Sequence, residues 1–83
     1  MVAKAIHYTD HAVARLDRGF TRADVRWLIA QGRRAIWPSK GPTRYWTATG
    51  YIGHREGRIV FIEDAHRYLI ITVEWVGEHA GGE

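Results

Sequence analysis

Residues 43–75, TRYWTATGYIGHREGRIVFIEDAHRYLIITVEW, decide the fold of this chain. Apolar and polar residues alternate over 43–52, which is the two-residue period of a half-buried strand. Two further runs of strand-forming residues follow at 58–63 and 68–76, each after a short polar segment that is typical of a turn. The pattern therefore predicts an antiparallel meander.

Each predicted strand divides its side chains between two faces, because successive residues of a strand point to opposite sides. The apolar face is expected to carry Trp46, Ile71 and Val73 and to be covered by helices. The opposite face would then expose a row of Tyr and Thr side chains, namely Tyr45, Thr47, Tyr51 and Thr72. Aromatic rings stack on bases, so this row suits a nucleic-acid surface. Tyr and Thr are also good strand formers, which leaves a purely structural explanation open.

Two short helices are predicted before the meander. The first begins after Thr9 or Asp10, either of which can cap free backbone N–H groups, and it ends near Gly19. The second begins after Thr21, where Asp24 completes a capping box.

These elements predict an α+β fold with two N-terminal helices packed on a three- to four-stranded antiparallel sheet. The fourth strand is the short apolar run 35–37, and residues 1–8 fit either a lead-in or an edge strand. The length indicates a single domain over 1–83, with a core of about 9–76 and a loose Gly-rich tail over 77–83.

The chain has 83 residues and no cysteine, which excludes a disulfide framework and a thiol nucleophile. No apolar run approaches the ~20 residues that a membrane-spanning helix needs. No secretory signal pattern opens the sequence. We therefore expect a cytoplasmic protein without a membrane partner.

The charge is unevenly distributed. The chain carries ten Arg and two Lys against nine acidic residues, a net charge of +3. Residues 1–44 hold nine basic and three acidic residues, a net of +6, whereas residues 45–83 hold three and six, a net of −3. Guanidinium groups bind phosphate and carboxylate oxygens bidentately, so the basic half suits an anionic partner. Arg-rich codon usage in a GC-rich genome explains the same composition equally well.

His11 and Arg15 are the strongest candidates for chemistry. They lie four residues apart and so share one stripe of the first helix. Metal-free cleavage of RNA requires a proton-transfer group and a cation beside the phosphate, which His and Arg provide. A surface histidine near a helix start is the structural alternative.

Other chemistries find no support in the sequence. His7 and His11 would suit two metal ligands only on one helix, and the predicted cap stands between them. Ser39 is the only serine, and no G-x-S-x-G motif surrounds it. We therefore expect no metal and no cofactor.

The segment 11–21, HAVARLDRGFT, resembles the opening helix of a bacterial family of small domains of unknown function, roughly H-A-x-x-R-…-R-G-[IF]-[ST]. Residues 70–75, IITVEW, resemble the I-T-V-aromatic pattern of the family's last strand. The resemblance covers about 9–76. One departure is that the segment between Arg15 and Gly19 is a residue shorter than usual.

This family is similar to RelE-like and BrnT-like toxins, whose fold places two helices before an antiparallel sheet and uses the open sheet face for RNA. The resemblance implies a toxin of a toxin–antitoxin system, a metal-independent endoribonuclease whose partners are RNA and a cognate antitoxin. It assigns catalysis to His11, Arg15 and Thr72, and substrate binding to Arg18, Arg44 and Tyr45.

Two other functions stay open at this point. The domain could be a non-catalytic module that binds nucleic acid or protein. It could also be an interaction domain that forms a homodimer through Trp27, Trp37 or Trp75, because aromatic residues are enriched at interface cores.

Overall fold

Two helices cover one face of a five-stranded sheet in the computed structural model of this chain, which describes residues 4–77. The elements follow in the order β1 Ala5–Tyr8, α1 Asp10–Arg15, a 3-10 turn Leu16–Arg18, α2 Arg22–Gln31, β2 Arg33–Trp37, β3 Tyr45–Ile52, β4 Arg55–Glu63 and β5 Arg67–Trp75.

The sheet is mixed, and this corrects the prediction of three or four antiparallel strands. Its order is β1-β5-β4-β3-β2, with β1 parallel to β5 and every other pair antiparallel. β1 is the first element of the described residues, so the helices lie between two strands instead of before the whole sheet. β1 has only four residues, which is too short an alternation to distinguish an edge strand from a lead-in by sequence.

A β-bulge on β5 reverses part of the predicted face assignment. Val60 pairs with Thr72 whereas Phe61 pairs with Ile70, so Ile71 is the extra residue. A bulge breaks the two-residue alternation of a strand. Ile70 is consequently buried in the core, and Ile71 lines the face opposite the helices. The prediction that helices cover Ile71 was wrong.

Both predicted helix starts are confirmed. The Thr9 hydroxyl oxygen accepts a hydrogen bond from the Ala12 backbone N–H at 3.1 Å, and the same hydroxyl donates to the Ile71 carbonyl at 3.0 Å. Thr21 accepts from the Asp24 N–H at 3.0 Å, while the Asp24 carboxylate accepts from the Thr21 N–H at 2.9 Å. The capping box therefore fixes α2, and Thr9 ties α1 to β5.

The core lies between the helices and the sheet. Its largest fully buried side chains come from α2, β4 and β5: Phe61, Leu28, Ile59, Ile70, Val25 and Val73. At one end of the core, the ring centroids of Phe20 and Trp75 lie 4.6 Å apart. The Trp75 indole N–H donates a hydrogen bond to the Arg18 carbonyl at 2.8 Å. Trp75 is therefore a core residue, whereas Trp27 and Trp37 remain 45% and 39% exposed.

Within residues 4–77, no helix has both the length and the apolar character needed to cross a membrane. The loose tail predicted over 77–83 lies outside the described residues, apart from Gly77.

Candidate functional site

The sheet face opposite the helices, here called the open face, carries side chains in rows, because residues directly paired across strands share a face. One row runs from β2 to β5 through Ala35, Thr47, Val60 and Thr72. The next row contains Arg33, Thr49, Arg58 and Glu74. Trp37 and Tyr45 form a further pair on this face. Aromatic, hydroxyl and charged groups therefore lie together here.

A cavity of about 300 Å³, here called the open-face pocket, opens among these rows. Its walls are Trp37, Ser39, Tyr45, Val60, Ile71, Thr72 and Glu74. Two residues singled out from the sequence, Tyr45 and Thr72, thus line the same cavity although 27 positions separate them in the chain. The bulge contributes to this wall, because it turns Ile71 towards the pocket beside Thr72.

A second hollow of about 270 Å³ adjoins the pocket and lies along the turn between β2 and β3. Trp37 and Ser39 line both hollows, and Arg44 lines the second. The Ser39 hydroxyl donates to the Thr43 carbonyl at 3.1 Å, which holds the turn closed. Arg44 and Tyr45, both predicted to bind substrate, therefore face adjoining hollows at the start of β3.

Arg58 crosses the open face and was not singled out from the sequence. Its Nε donates to a Glu74 carboxylate oxygen at 2.6 Å, and its guanidinium carbon lies 5.5 Å from the centre of the Trp37 ring. A guanidinium over an indole is a favourable cation–π contact. Arg58 thus lies between Glu74, to which it is hydrogen-bonded, and the Trp37 ring, which its guanidinium helps to hold in place.

Cations outnumber carboxylates around the open face and its adjoining turn. The cations are Arg33, Lys40, Arg44 and Arg58, and the carboxylates are Glu56 and Glu74. The Arg33 guanidinium lies 3.9 Å from Glu56 and its side chain is 76% exposed, so this pair is weak. The excess of positive charge favours an anionic ligand.

Neither His11 nor Arg15 lines the pocket. α1 packs along the part of the β5 edge that β1 leaves uncovered, and the Arg15 Nε donates to the Val73 carbonyl at 3.4 Å. His11 is exposed in the first turn of α1. Arg18 is exposed in the 3-10 turn, where its carbonyl is held by Trp75. The structure thus brings together Tyr45 and Thr72, with Arg44 adjoining, and leaves the helical candidates at the sheet edge.

His7 is a second histidine that the sequence reasoning did not connect with RNA chemistry. Ile6 and Tyr8 pack against the core, so the residue between them points to the open face, and His7 is exposed there opposite Leu69. The four residues of β1 carry too little alternation for the sequence alone to place His7 on this face. Among residues 4–77, no group of three or more His, Cys, Asp or Glu is placed to hold a metal ion.

An ion-pair cluster lies at one end of the sheet, on the helix-bearing side. Glu63 accepts from the Lys4 ammonium and from Arg34 Nη1, the latter at 2.8 Å. The hydrogen bond from Lys4, followed by that from Arg34, lowers the pKa of Glu63 below its ordinary value. Arg34 also lies 5.2 Å from the centre of the Phe61 ring, so the cluster closes the core at this end.

Comparison with models of known families, with curated proteins and with solved structures found no match to this chain. The resemblance to RelE-like and BrnT-like toxins therefore stays a prediction that rests on the motifs in segments 11–21 and 70–75.

Proposed function

We propose that this domain binds single-stranded RNA on the open face of its sheet. The supporting observation is the pairing of Trp37 and Tyr45 at the open-face pocket, with Arg44 on the adjoining hollow. Single-stranded RNA exposes unstacked bases that stack on aromatic side chains, while Arg contacts the phosphates. A cavity of about 300 Å³ lies within the range of small-ligand pockets and suits an unpaired base better than a duplex.

The phosphate contacts determine how the binding depends on salt. Arg33, Lys40 and Arg44 are all exposed near the pocket. Each phosphate contact on a single strand contributes about −0.7 to the slope of log K against log salt concentration. Three such contacts give an expected slope of about −2.

A titration of a short fluorescent single-stranded RNA with the full chain tests this proposal. We expect binding with the slope given above, and we expect Arg44→Gln to make the slope shallower by about 0.7. Arg26→Gln is the matched control, because Arg26 is exposed on α2, away from the open face. Equal effects of the two substitutions, or no binding of RNA by the wild-type chain, would contradict the proposal.

A second candidate function is metal-independent cleavage of the bound RNA, as the resemblance implies. The observation that favours it is the position of α1. Arg15 is hydrogen-bonded to the Val73 carbonyl, one residue from Thr72 of the pocket, and His11 is exposed one turn earlier. In this reaction His11 transfers a proton to or from the reacting oxygen, and Arg15 stabilises charge on the phosphate.

Incubation of the RNA with the chain in the presence of EDTA separates cleavage from binding. We expect cleavage that His11→Ala abolishes and that His66→Ala retains, because His66 is exposed in the loop between β4 and β5. A toxin would in addition arrest growth when expressed in a bacterial host, and His11→Ala or a cognate antitoxin would relieve the arrest. RNA that is bound but stays intact would exclude this candidate and leave the binding proposal standing.

A further inference from the structure

We propose that β2 pairs antiparallel with β2 of a second copy of this chain, so that two sheets join into one across a two-fold axis. Within residues 4–77, β2 is the last strand in the sheet order and pairs only with β3. All five of its residues are exposed. An edge strand presents a row of unpaired backbone N–H and C=O groups, which is a template for another strand.

Two antiparallel copies of β2, RRAIW, can pair so that each Arg lies opposite an apolar residue of the partner strand. A two-fold axis at Ala35 places Arg33 opposite the partner's Trp37 and Arg34 opposite the partner's Ile36. An axis at Arg34 would bring two guanidinium groups face to face. An axis at Ile36 would bring Pro38, which has no N–H to donate, into the ladder. Only the register at Ala35 pairs all five residues without opposing like charges.

Two large apolar side chains on this edge are exposed to solvent, which also favours a partner there. Ile36 is 57% exposed and Trp37 is 39% exposed, although both belong to a strand. Strand edges are usually protected by charged residues, and here the two Arg occupy one end while the apolar residues occupy the other. In the proposed pair each charged end covers the partner's apolar end.

The two arginines differ in how they serve the interface. Arg34 is held by Glu63 at 2.8 Å and lies over the Phe61 ring, so its position is fixed before pairing. The Arg33 side chain is 76% exposed and can reach across to the partner's Trp37, where a cation–π contact is favourable. Dimerisation would thereby add the partner's Arg33 to the wall of the open-face pocket at Trp37. The interface does not require that the pocket binds RNA.

An engineered thiol tests the register directly, because the chain contains no cysteine of its own. Directly opposed residues of antiparallel strands have Cα atoms ~4.5–5.5 Å apart. A disulfide requires ~4.4–6.8 Å. We therefore expect Ala35→Cys to form a disulfide-linked dimer under mild oxidation. Ala30→Cys, exposed on α2, is the matched control and is expected to stay monomeric. Equal rates of cross-linking for the two variants would overturn the proposal.

Sedimentation of the full chain from micromolar to millimolar concentration provides the second measurement. We expect a dimer whose Kd rises at least tenfold in Ile36→Lys, because the new ammonium would face the partner's Arg34. Ile36→Glu places an opposite charge at the same position and is expected to retain the dimer. A wild-type chain that stays monomeric over this range, or equal effects of Lys and Glu, would refute the pairing.

Discussion

Replacing Phe61 by Ala is expected to lower the free energy of unfolding by about 3–5 kcal/mol. The Phe61 ring is completely buried and is the largest fully buried side chain of the described residues. Its ring makes an edge contact with Tyr68 at 5.8 Å between centroids and lies under the Arg34 guanidinium. Truncation removes these contacts together with the burial of the ring, and the central strand β4 cannot collapse into the cavity.

The loss is large for a domain of this size. Stability of roughly 0.05–0.15 kcal/mol per residue gives about 4–12 kcal/mol for a chain of this length. Urea denaturation followed by circular dichroism measures the difference. Tyr51→Ala is the control, because Tyr51 lies on the same sheet but is 65% exposed, and we expect a change within about 0.5 kcal/mol. A loss of less than about 1 kcal/mol in the Phe61 variant would contradict the described core.

The helices were predictable because their signals are local. Thr21 and Asp24 stand three positions apart, so the capping box can be recognised without knowledge of any distant contact. The same holds for Thr9 at the start of α1. In each case a side chain satisfies the backbone of its own helix, and the sequence contains all the information needed.

The sheet was predictable only where alternation is regular. The sequence does not separate β1 from a lead-in, because its strand partner within residues 4–77 is β5, more than 60 residues away in the chain, and four residues carry little periodicity. The bulge was missed because Ile70 and Ile71 are both apolar. Either one could have been placed in the core by hydropathy, and pairing with β4 decides which one is buried.

The candidate site was likewise predictable only where regular strand alternation places its residues. Tyr45 and Thr72 were predicted on the accessible face from strand alternation, and the structure places both at the open-face pocket. Trp37 and Arg58 were not assigned to it, because their contact joins β2 to β4 across an intervening strand. His11 and Arg15 were selected from helical spacing, which reveals their common stripe but not the distance from that stripe to the pocket.

Loss of the two pocket aromatics is expected to have the largest effect on RNA binding. Base–aromatic stacking contributes about 1–3 kcal/mol per base. We therefore expect Tyr45→Ala to raise the Kd for single-stranded RNA about thirtyfold, which corresponds to about 2 kcal/mol. Trp37→Ala is expected to act similarly, because Trp37 is the cross-strand partner of Tyr45 and lines the same cavity.

Two matched variants distinguish stacking from a general loss of surface. Tyr45→Phe keeps the ring and removes only the hydroxyl, so its Kd should stay within about threefold of the wild-type value if stacking dominates. Tyr51→Ala removes an equivalent ring from the same strand and face, but outside the open-face pocket. Fluorescence anisotropy at constant salt gives the Kd, and circular dichroism verifies folding. Equal weakening of RNA binding by Tyr51→Ala and Tyr45→Ala would contradict the use of the pocket. In that case RNA would stack on any exposed ring of the sheet face and would not require the cavity beside Arg44.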